Sequence, residues 1–254
     1  MNNAAHPAQI CPRLYGDLAW TWPIISPPED YAEEAEEAIS LIQASARIPV
    51  RTLLHLGCGG GHLDRTLKSA FDVTGVDASE SMLSLARKLN PTVPYVQGDM
   101  RTVRLETRFD SVAVFDSIDY MLTEGDLRDA FATAWAHLRP GGVFLTYAEV
   151  AKESFDQNRT RHVTGSTEDT EIVFIENQYD PDPADTAFET TFIFLIRRDS
   201  RLDVEWDRHE MGLFSLATWT DLLEATGFEV RSVDSKEPGE GGRPVPWFVS
   251  TKPT

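Results

Sequence analysis

A short apolar run, Val50–Leu56, leads directly into the glycine cluster Gly57-Cys58-Gly59-Gly60-Gly61, followed by His62 and a helical pattern marked by Leu63 and Leu67. Strand, glycine loop and helix in that order constrain the fold more than any other feature of the chain. The loop has to turn sharply, and its glycines let a ligand approach both the backbone and the free N–H groups at the helix start. The register is G-x-G-x-G at Gly57, Gly59 and Gly61. A dinucleotide fingerprint, G-x-G-x-x-G, would need its third glycine where His62 stands.

The same alternation continues downstream. Val73–Val76 reads as a second strand, and Met82, Leu83, Leu85, Ala86 and Leu89 as a helix capped by Ser79. Val93–Gln97 and Ser111–Phe115 read as strands three and four. Leu127, Ala130, Phe131, Ala134 and Leu138 form a helix introduced by the capping pair Thr123 and Asp126 and stopped by Pro140-Gly141-Gly142. Val143–Ala148 is a fifth strand. Five strands separated by helical patterns predict a doubly wound, mostly parallel α/β sheet with right-handed crossovers. Upstream, Ser26-Pro27-Pro28-Glu29 predicts a helix start with Ser26 as N-cap, and Glu33, Glu34, Glu36 and Glu37 are expected on its solvated face.

Residues 151–212 break the rhythm. Ile172–Ile175, Ala187–Ile196 and Leu202–Trp206 are β-rich and separated by turn signals, which predicts an antiparallel β insertion after strand five. Residues 14–150 then form the ligand-binding core. Residues 213–254 return to it with a helix opened by Thr218-Trp219-Thr220-Asp221 and strands at Phe228–Val233 and Trp247–Thr251, joined by a flexible link at Glu237–Gly242. The whole chain reads as one domain, its first dozen residues frayed and its insertion either a substrate cap or a homodimer contact.

Twenty-three Lys and Arg against 41 Asp and Glu give a net charge of −18, which repels phosphate backbones and anionic lipid. No nucleic-acid or membrane partner is therefore expected. Met1–Ile10 lacks the cationic start and apolar core of a signal peptide, and no run of about 18 apolar residues occurs, so the chain is read as cytoplasmic. Cys11 and Cys58 are its two cysteines, with no disulfide expected, and His62, His137 and His162 lack metal-ligand spacing, so no metal is expected.

The glycine loop, the Asp77 that ends Val73-Thr74-Gly75-Val76-Asp77, and Gln97-Gly98-Asp99-Met100-Arg101 together resemble the class I S-adenosylmethionine-dependent methyltransferases. Similarity is greatest over Leu53–Glu149, and the small-molecule enzymes are the nearest in kind, glycine N-methyltransferase-like and sugar N,N-dimethyltransferase groups among them. The resemblance implies a Rossmann-like methyltransferase sheet with S-adenosyl-L-methionine as cofactor and a small molecule methylated on N or O. It implies that Gly57, Cys58, Gly59 and Gly61 hold the cofactor's methionine end, and that Ala78 and Met82 flank the adenosine. Asp99 would receive the adenine amino group, with the Met100 backbone nearby, and Phe115 to Tyr120 would lie at the sheet's carboxyl edge. Asp77 is placed to accept both ribose hydroxyls, as in nucleoside-binding α/β sheets generally. One departure stands out: His55 takes the place, two residues before the first glycine, where the family carries an acid that positions the cofactor's amino end.

Methyl transfer from a sulfonium needs positioning and exclusion of water more than a strong base. Tyr120 and Tyr15 are the leading catalytic candidates, Tyr15 through its likeness to an N-terminal piece that folds over the cofactor. Asp116, Asp119 and His209 are further candidates for orientation or base work, although His209 reads more readily as a solvated hairpin residue and Tyr120 also as a pocket wall. Trp20, Trp22 and Phe214 are candidate mouth residues. Two other readings compete: a nucleotide-dependent oxidoreductase, and a non-catalytic cofactor-binding protein of the same fold.

Overall fold

The computed structural model describes residues 12–238 and 244–254. Most of the N-terminal stretch expected to fray, Cys11 and much of the expected Glu237–Gly242 link lie outside the described residues. In chain order the elements are α1 (Trp22–Ile25), α2 (Ala32–Ser45), β1 (Thr52–Leu56), α3 (Asp64–Leu67), β2 (Asp72–Asp77), α4 (Glu80–Leu89), β3 (Tyr95–Gln97), β4 (Phe109–Ala113), α5 (Glu124–His137) and β5 (Leu138–Tyr147). Then follow β6 (Arg159–Ser166), β7 (Thr170–Tyr179), β8 (Ala187–Arg198), β9 (Arg201–Gly212), α6 (Leu216–Thr226), β10 (Glu229–Pro238) and β11 (Pro244–Thr251).

Seven strands form one sheet in the order β10-β11-β5-β4-β1-β2-β3. The five strands from β5 to β3 are parallel, whereas β11 runs antiparallel to both β5 and β10. Side chains alternate across the pleat. Leu53, Val143 and Leu145 pack with Ala35, Ala38 and Ile42 of α2, while Leu54, Leu56 and Phe144 pack with Phe131 of α5 and Leu223 of α6. Both faces are thus covered, which is why the central strands are apolar throughout rather than alternating. Chain order reverses between β1 and β4, the switch point where such sheets open a crevice at the strands' carboxyl ends.

Several boundaries differ from the sequence expectations for local reasons. Ser26 does not cap a helix; its Oγ lies 2.6 Å from the Tyr31 hydroxyl, and α2 starts only at Ala32 after a 3₁₀ turn over Pro28–Tyr31. Two consecutive prolines explain this, because a residue before proline is driven out of the helical region, and Pro27 is extended at ψ 146°. The N-cap of α6 is Ser215, which accepts from Thr218 N, so the helix begins two residues before Thr218. Strand four spans Phe109–Ala113 rather than Ser111–Phe115. Pro140-Gly141-Gly142 lies within β5 at a register shift, three residues after α5 has ended. The expected caps of α4 and α5 form: Ser79 Oγ accepts from Met82 N, and Thr123 and Asp126 make a reciprocal capping box.

The insertion is a separate antiparallel sheet in the order β6-β7-β8-β9. Its first strand, β6, escaped the sequence reading because Arg159–Ser166 offers only Val163 as a large apolar residue. The sheet's inner face, Ile172, Phe174, Phe192, Phe194 and Ile196, closes a third apolar cluster with Leu14, Leu18 and Ile25 of the N-terminal segment. The N-terminal segment and insertion therefore form one roof over the crevice. The acidic run of α2 also divides: Glu33 and Glu36 are exposed, but Glu37 is buried and accepts from Lys236 N, and Glu34 turns toward the crevice. No helix among the described residues is long and apolar enough to cross a membrane.

Candidate active site

A cavity of about 560 Å³ lies between the sheet's carboxyl edge and the roof. Its floor is the β1 loop. Gly57 and Cys58 both donate to Val76 O (2.7 and 3.0 Å), folding the loop back on β2, and Gly57, Gly59 and Gly61 all have φ between 52° and 73°. Asp77, at the end of β2, accepts from Gly59 N (2.7 Å) and Ser79 N (2.8 Å), so one carboxylate joins the glycine loop to the start of α4. Burial pushes its pKa up.

Gly57 has a second constraint beyond its positive φ. A Cβ there would overlap the Ser117 side chain and stand 2.8 Å from Met100 Cε. The left-handed backbone and the overpacking together predict that Gly57→Ala costs about 3 kcal/mol, roughly 8 °C in Tm, measurable by thermal unfolding.

Ten of the twelve expected site residues line the cavity: Tyr15, Gly57, Cys58, Gly59, Asp77, Ala78, Met82, Asp99, Met100 and Tyr120. Gly61 and Phe115 do not. Gly61 is a packing position, where a Cβ would meet the Tyr95 hydroxyl at 2.7 Å and Asn90 Nδ2 at 2.8 Å. Phe115 is fully buried in the core, edge-on to His55 (4.9 Å) and Trp247 (6.0 Å). Of the candidate mouth residues only Trp22 lines the cavity; Phe214 lies in the core, and Trp20 carries Arg198 over its ring at 4.1 Å. Asp99 is held by Arg101, whose Nη2 is 2.6 Å away and whose other terminal nitrogen bridges to Asp126 (2.7 Å). The Cys58 thiol is pushed up by burial, which suits packing and not nucleophilic attack.

His55 is 1% exposed, and its Nδ1 lies 2.7 Å from Asp64 Oδ1. Asp64 Oδ2 accepts from the Tyr95 hydroxyl (2.9 Å). Because a carboxylate oxygen accepts, Nδ1 is the donor, and the bare Nε2 is left as an acceptor with no partner among the described residues. His55 thus presents a lone pair on the cavity wall, as the family's acid presents an oxygen. Other buried polar atoms without partners lie on the same wall: Ser117 Oγ, His62 Nδ1 and Glu34 Oε1.

Across the cavity, the structure joins residues that the sequence scatters. The Tyr120 hydroxyl lies 2.9 Å from the Tyr15 hydroxyl and 2.6 Å from His209 Nδ1, and His209 Nε2 lies 2.8 Å from Asp207 Oδ2. Asp207 Oδ2 also accepts from Leu14 N (2.8 Å), tying the N-terminal segment to β9. His209 is only 2% exposed and not a solvated hairpin residue, because inward positions of β9 alternate as Asp207, His209 and Met211. Burial lowers its pKa, against the opposing pull of Asp207, and raises those of Tyr15 and Tyr120. Asp207, Glu34 and Glu149 were missed at the sequence level; nothing in their local patterns marks them.

A family profile described as a methyltransferase domain matches residues 53–142, from β1 into the turn within β5. The dTDP-3-amino-3,4,6-trideoxy-alpha-D-glucopyranose N,N-dimethyltransferase of Streptomyces venezuelae is 41% identical over 120 residues, covering 46% of this chain but only 50% of that enzyme's length. The cypemycin N-terminal methyltransferase of a Streptomyces species is 30% identical over 242 residues, covering 85% of this chain and 94% of the relative. This chain belongs to the class I S-adenosylmethionine-dependent methyltransferases.

Among solved structures, S-adenosylmethionine-bound CalS10, an amino pentose methyltransferase from Micromonospora echinaspora involved in calicheamicin biosynthesis, matches with a TM-score of 0.75 at 25% identity, over 87% of this chain and 92% of that chain. S-adenosylmethionine is the methyl donor of this methyltransferase, and family membership sets aside the oxidoreductase and non-catalytic readings. The cavity fits the donor. Its floor is the glycine loop, and its lining includes buried polar atoms, His55 Nε2 among them, without partners among the described residues.

Proposed function

We propose that this methyltransferase moves the methyl group of S-adenosylmethionine to the amine nitrogen of a small molecule, in a cavity closed by the N-terminal segment and the β6–β9 sheet. The observation that carries this reading is the hydrogen-bonded row Tyr15, Tyr120, His209 and Asp207, whose two tyrosines line the same cavity as the glycine loop. The named activities of the Streptomyces venezuelae enzyme and CalS10 support an amino-sugar acceptor, and the cypemycin enzyme supports an aliphatic amine more generally.

In this reading Asp77 holds the ribose hydroxyls, Ala78 and Met82 flank the adenosine, and Asp99 with the Met100 backbone receives the adenine. The Gly57–Gly59 backbone and His55 Nε2 hold the methionine end. The bound cofactor supplies an electrophilic methyl group on a sulfonium centre. This chain's residues orient the acceptor and take its proton. A carboxylate requires a donor, so Asp207 fixes the proton on His209 Nε2 and leaves Nδ1 to accept from the Tyr120 hydroxyl. Tyr120 donates to the Tyr15 oxygen at 2.9 Å, and when its one proton turns to His209 Nδ1 instead, both tyrosine oxygens keep lone pairs free to accept. The row is thereby poised to draw a proton from an attacking amine toward His209, while the tyrosines stay neutral at pH 7.

Incubation with methyl-labelled S-adenosylmethionine and a panel of primary and secondary amines, amino sugars included, tests the proposal. Label is expected on nitrogen of at least one amine; label only on hydroxyl oxygen of matched alcohols would overturn it.

The acidic surface supports exclusion of nucleic acid, and the ordinary soluble composition supports a cytoplasmic location. A homodimer is also part of this reading. Val204 and Trp206 of β9, 58% and 62% exposed, share the outer face of the second sheet with Val173, Ile175, Ile193 and Leu195, an apolar patch of the kind that marks an interface. Trp206→Lys is expected to shift sedimentation from dimer to monomer with the far-UV spectrum unchanged; a monomeric parent protein would contradict it.

A further inference from the structure

The cavity gathers the carboxyl groups of Asp116, Asp119 and Glu149, more acids than one methyl donor and one amine would engage. Asp119 is 4% exposed, lines the cavity, and its carboxylate makes no hydrogen bond among the described residues. Among the described residues Asp116, which lines the same cavity, accepts only from Ser117 N, and Glu149 has neighbouring charges but makes no hydrogen bond. Desolvation raises all three, and repulsion from neighbouring acids adds to it for Asp119 and for Glu149, the latter raised to about 7. Arg161 of β6 acts electrostatically on Asp116 and Glu149, but its Nη2 already meets Glu176 Oε2 at 2.7 Å. These groups do not form a cluster able to hold a metal ion among the described residues. An acid buried in this way keeps its proton, and a positively charged guest would draw that proton off and pair with the carboxylate left behind, so this part of the cavity suits a cation.

The nitrogen that attacks the methyl group has to be a neutral amine, because an ammonium has no lone pair. It brings no positive charge to Asp116, Asp119 and Glu149 at the moment of reaction. A sulfonium supplies one positive charge, and a second, on a part of the acceptor that stays protonated, would let a further carboxyl group of the three ionise against it. A diphosphate would meet the same carboxylates with like charge, and the two arginines on the wall, Arg101 and Arg161, are each paired with acids of this chain.

We infer that the acceptor carries a second, protonated amino group seated against Asp119, Asp116 and Glu149, and carries no phosphate; this separates the chain from relatives named for nucleotide-linked amino sugars. The inference rests on the amine-methylation reading and names its substrate class. No step of the transfer changes: the second ammonium is a binding group that neither gains nor loses a bond.

The test is calorimetric titration of the protein saturated with S-adenosylhomocysteine, using three probes: neamine with four amino groups, glucosamine with one, and UDP-glucosamine with one and a diphosphate. Neamine is expected to bind at least tenfold tighter than glucosamine, and UDP-glucosamine weaker than glucosamine. In Asp119→Asn, which keeps size and shape, and independently in Glu149→Gln, the neamine preference is expected to fall below threefold with S-adenosylhomocysteine affinity unchanged. Equal binding of neamine and glucosamine, tighter binding of UDP-glucosamine, no binding of neamine, or a preference that survives both variants would overturn the inference. Methyl transfer to UDP-glucosamine in preference would sink this inference and leave amine methylation standing. Selective neamine binding with no label transferred to any amine would do the reverse.

Discussion

Replacing Asp77 by alanine is expected to weaken S-adenosylhomocysteine binding by on the order of 100-fold, with the fold retained. The carboxylate contributes two kinds of interaction. In the free protein it accepts from Gly59 N and Ser79 N, fixing the glycine loop against the start of α4. Toward the cofactor it would accept from two ribose hydroxyls, and hydrogen bonds to a charged group are each worth about 1.5–3 kcal/mol. Losing them costs roughly 3 kcal/mol, or about two factors of ten in affinity. Calorimetric titration measures the loss, and an unchanged far-UV spectrum separates it from unfolding. Asp77→Ala binding at parental affinity would mean that the ribose lies elsewhere.

Tyr120→Phe is expected to act on turnover instead. It removes one hydroxyl from the middle of the row and leaves the aromatic packing against Tyr15, 5.6 Å between ring centroids, in place. Loss of a positioned proton acceptor costs about 10²-fold in kcat, whereas S-adenosylhomocysteine affinity should change by less than about twofold. The pH profile gives a readout that packing alone would not move. Burial holds His209 below its ordinary value of 6.5, so it is neutral at pH 7 and able to accept. Parental kcat is therefore expected to stay level as pH falls to that value and to drop below it, as His209 gains a proton. In Tyr120→Phe this acid limb disappears, because His209 is disconnected from the cavity. A parental acid limb in the variant would contradict the relay.

The same shifts bear on stability with a definite sign. His62 is lowered to about 4 by desolvation, and His209 is lowered in the same direction. Between those folded values and 6.5 the unfolded chain binds more protons than the folded one, so their contribution is complete above about 6.5 and is lost as pH falls through the lower values.

The parallel sheet and its ligand edge were legible because they are written in local patterns. A strand followed by closely spaced glycines, and an aspartate ending the next strand, mark positions where backbone geometry itself requires the residue. The roof was less legible. Arg159–Ser166 pairs along one side only and needs little apolar character, so β6 left no periodic signal. His209 meets Tyr120 across 89 residues of sequence, and only the pairing of β9 with β8, which alternates its side chains, decides that His209 points inward. Glu34 posed the same difficulty in a helix: a run of four glutamates looks uniformly solvated until tertiary packing assigns each to a face. Phe115 went the other way. Its place at the end of β4 pointed to the ligand, but its ring fills the core between His55 and Trp247.

A crystal structure with bound S-adenosylhomocysteine tests most directly the proposal that the sulfonium lies between the Gly57–Gly59 floor and the Tyr15–Tyr120 pair. The expected result has the ribose hydroxyls on Asp77, the amino group within hydrogen-bond reach of His55 Nε2, and the sulfur facing the two tyrosine hydroxyls across open space. A sulfur turned away from Tyr15 and Tyr120, or a homocysteine end bound away from the glycine loop, would contradict it.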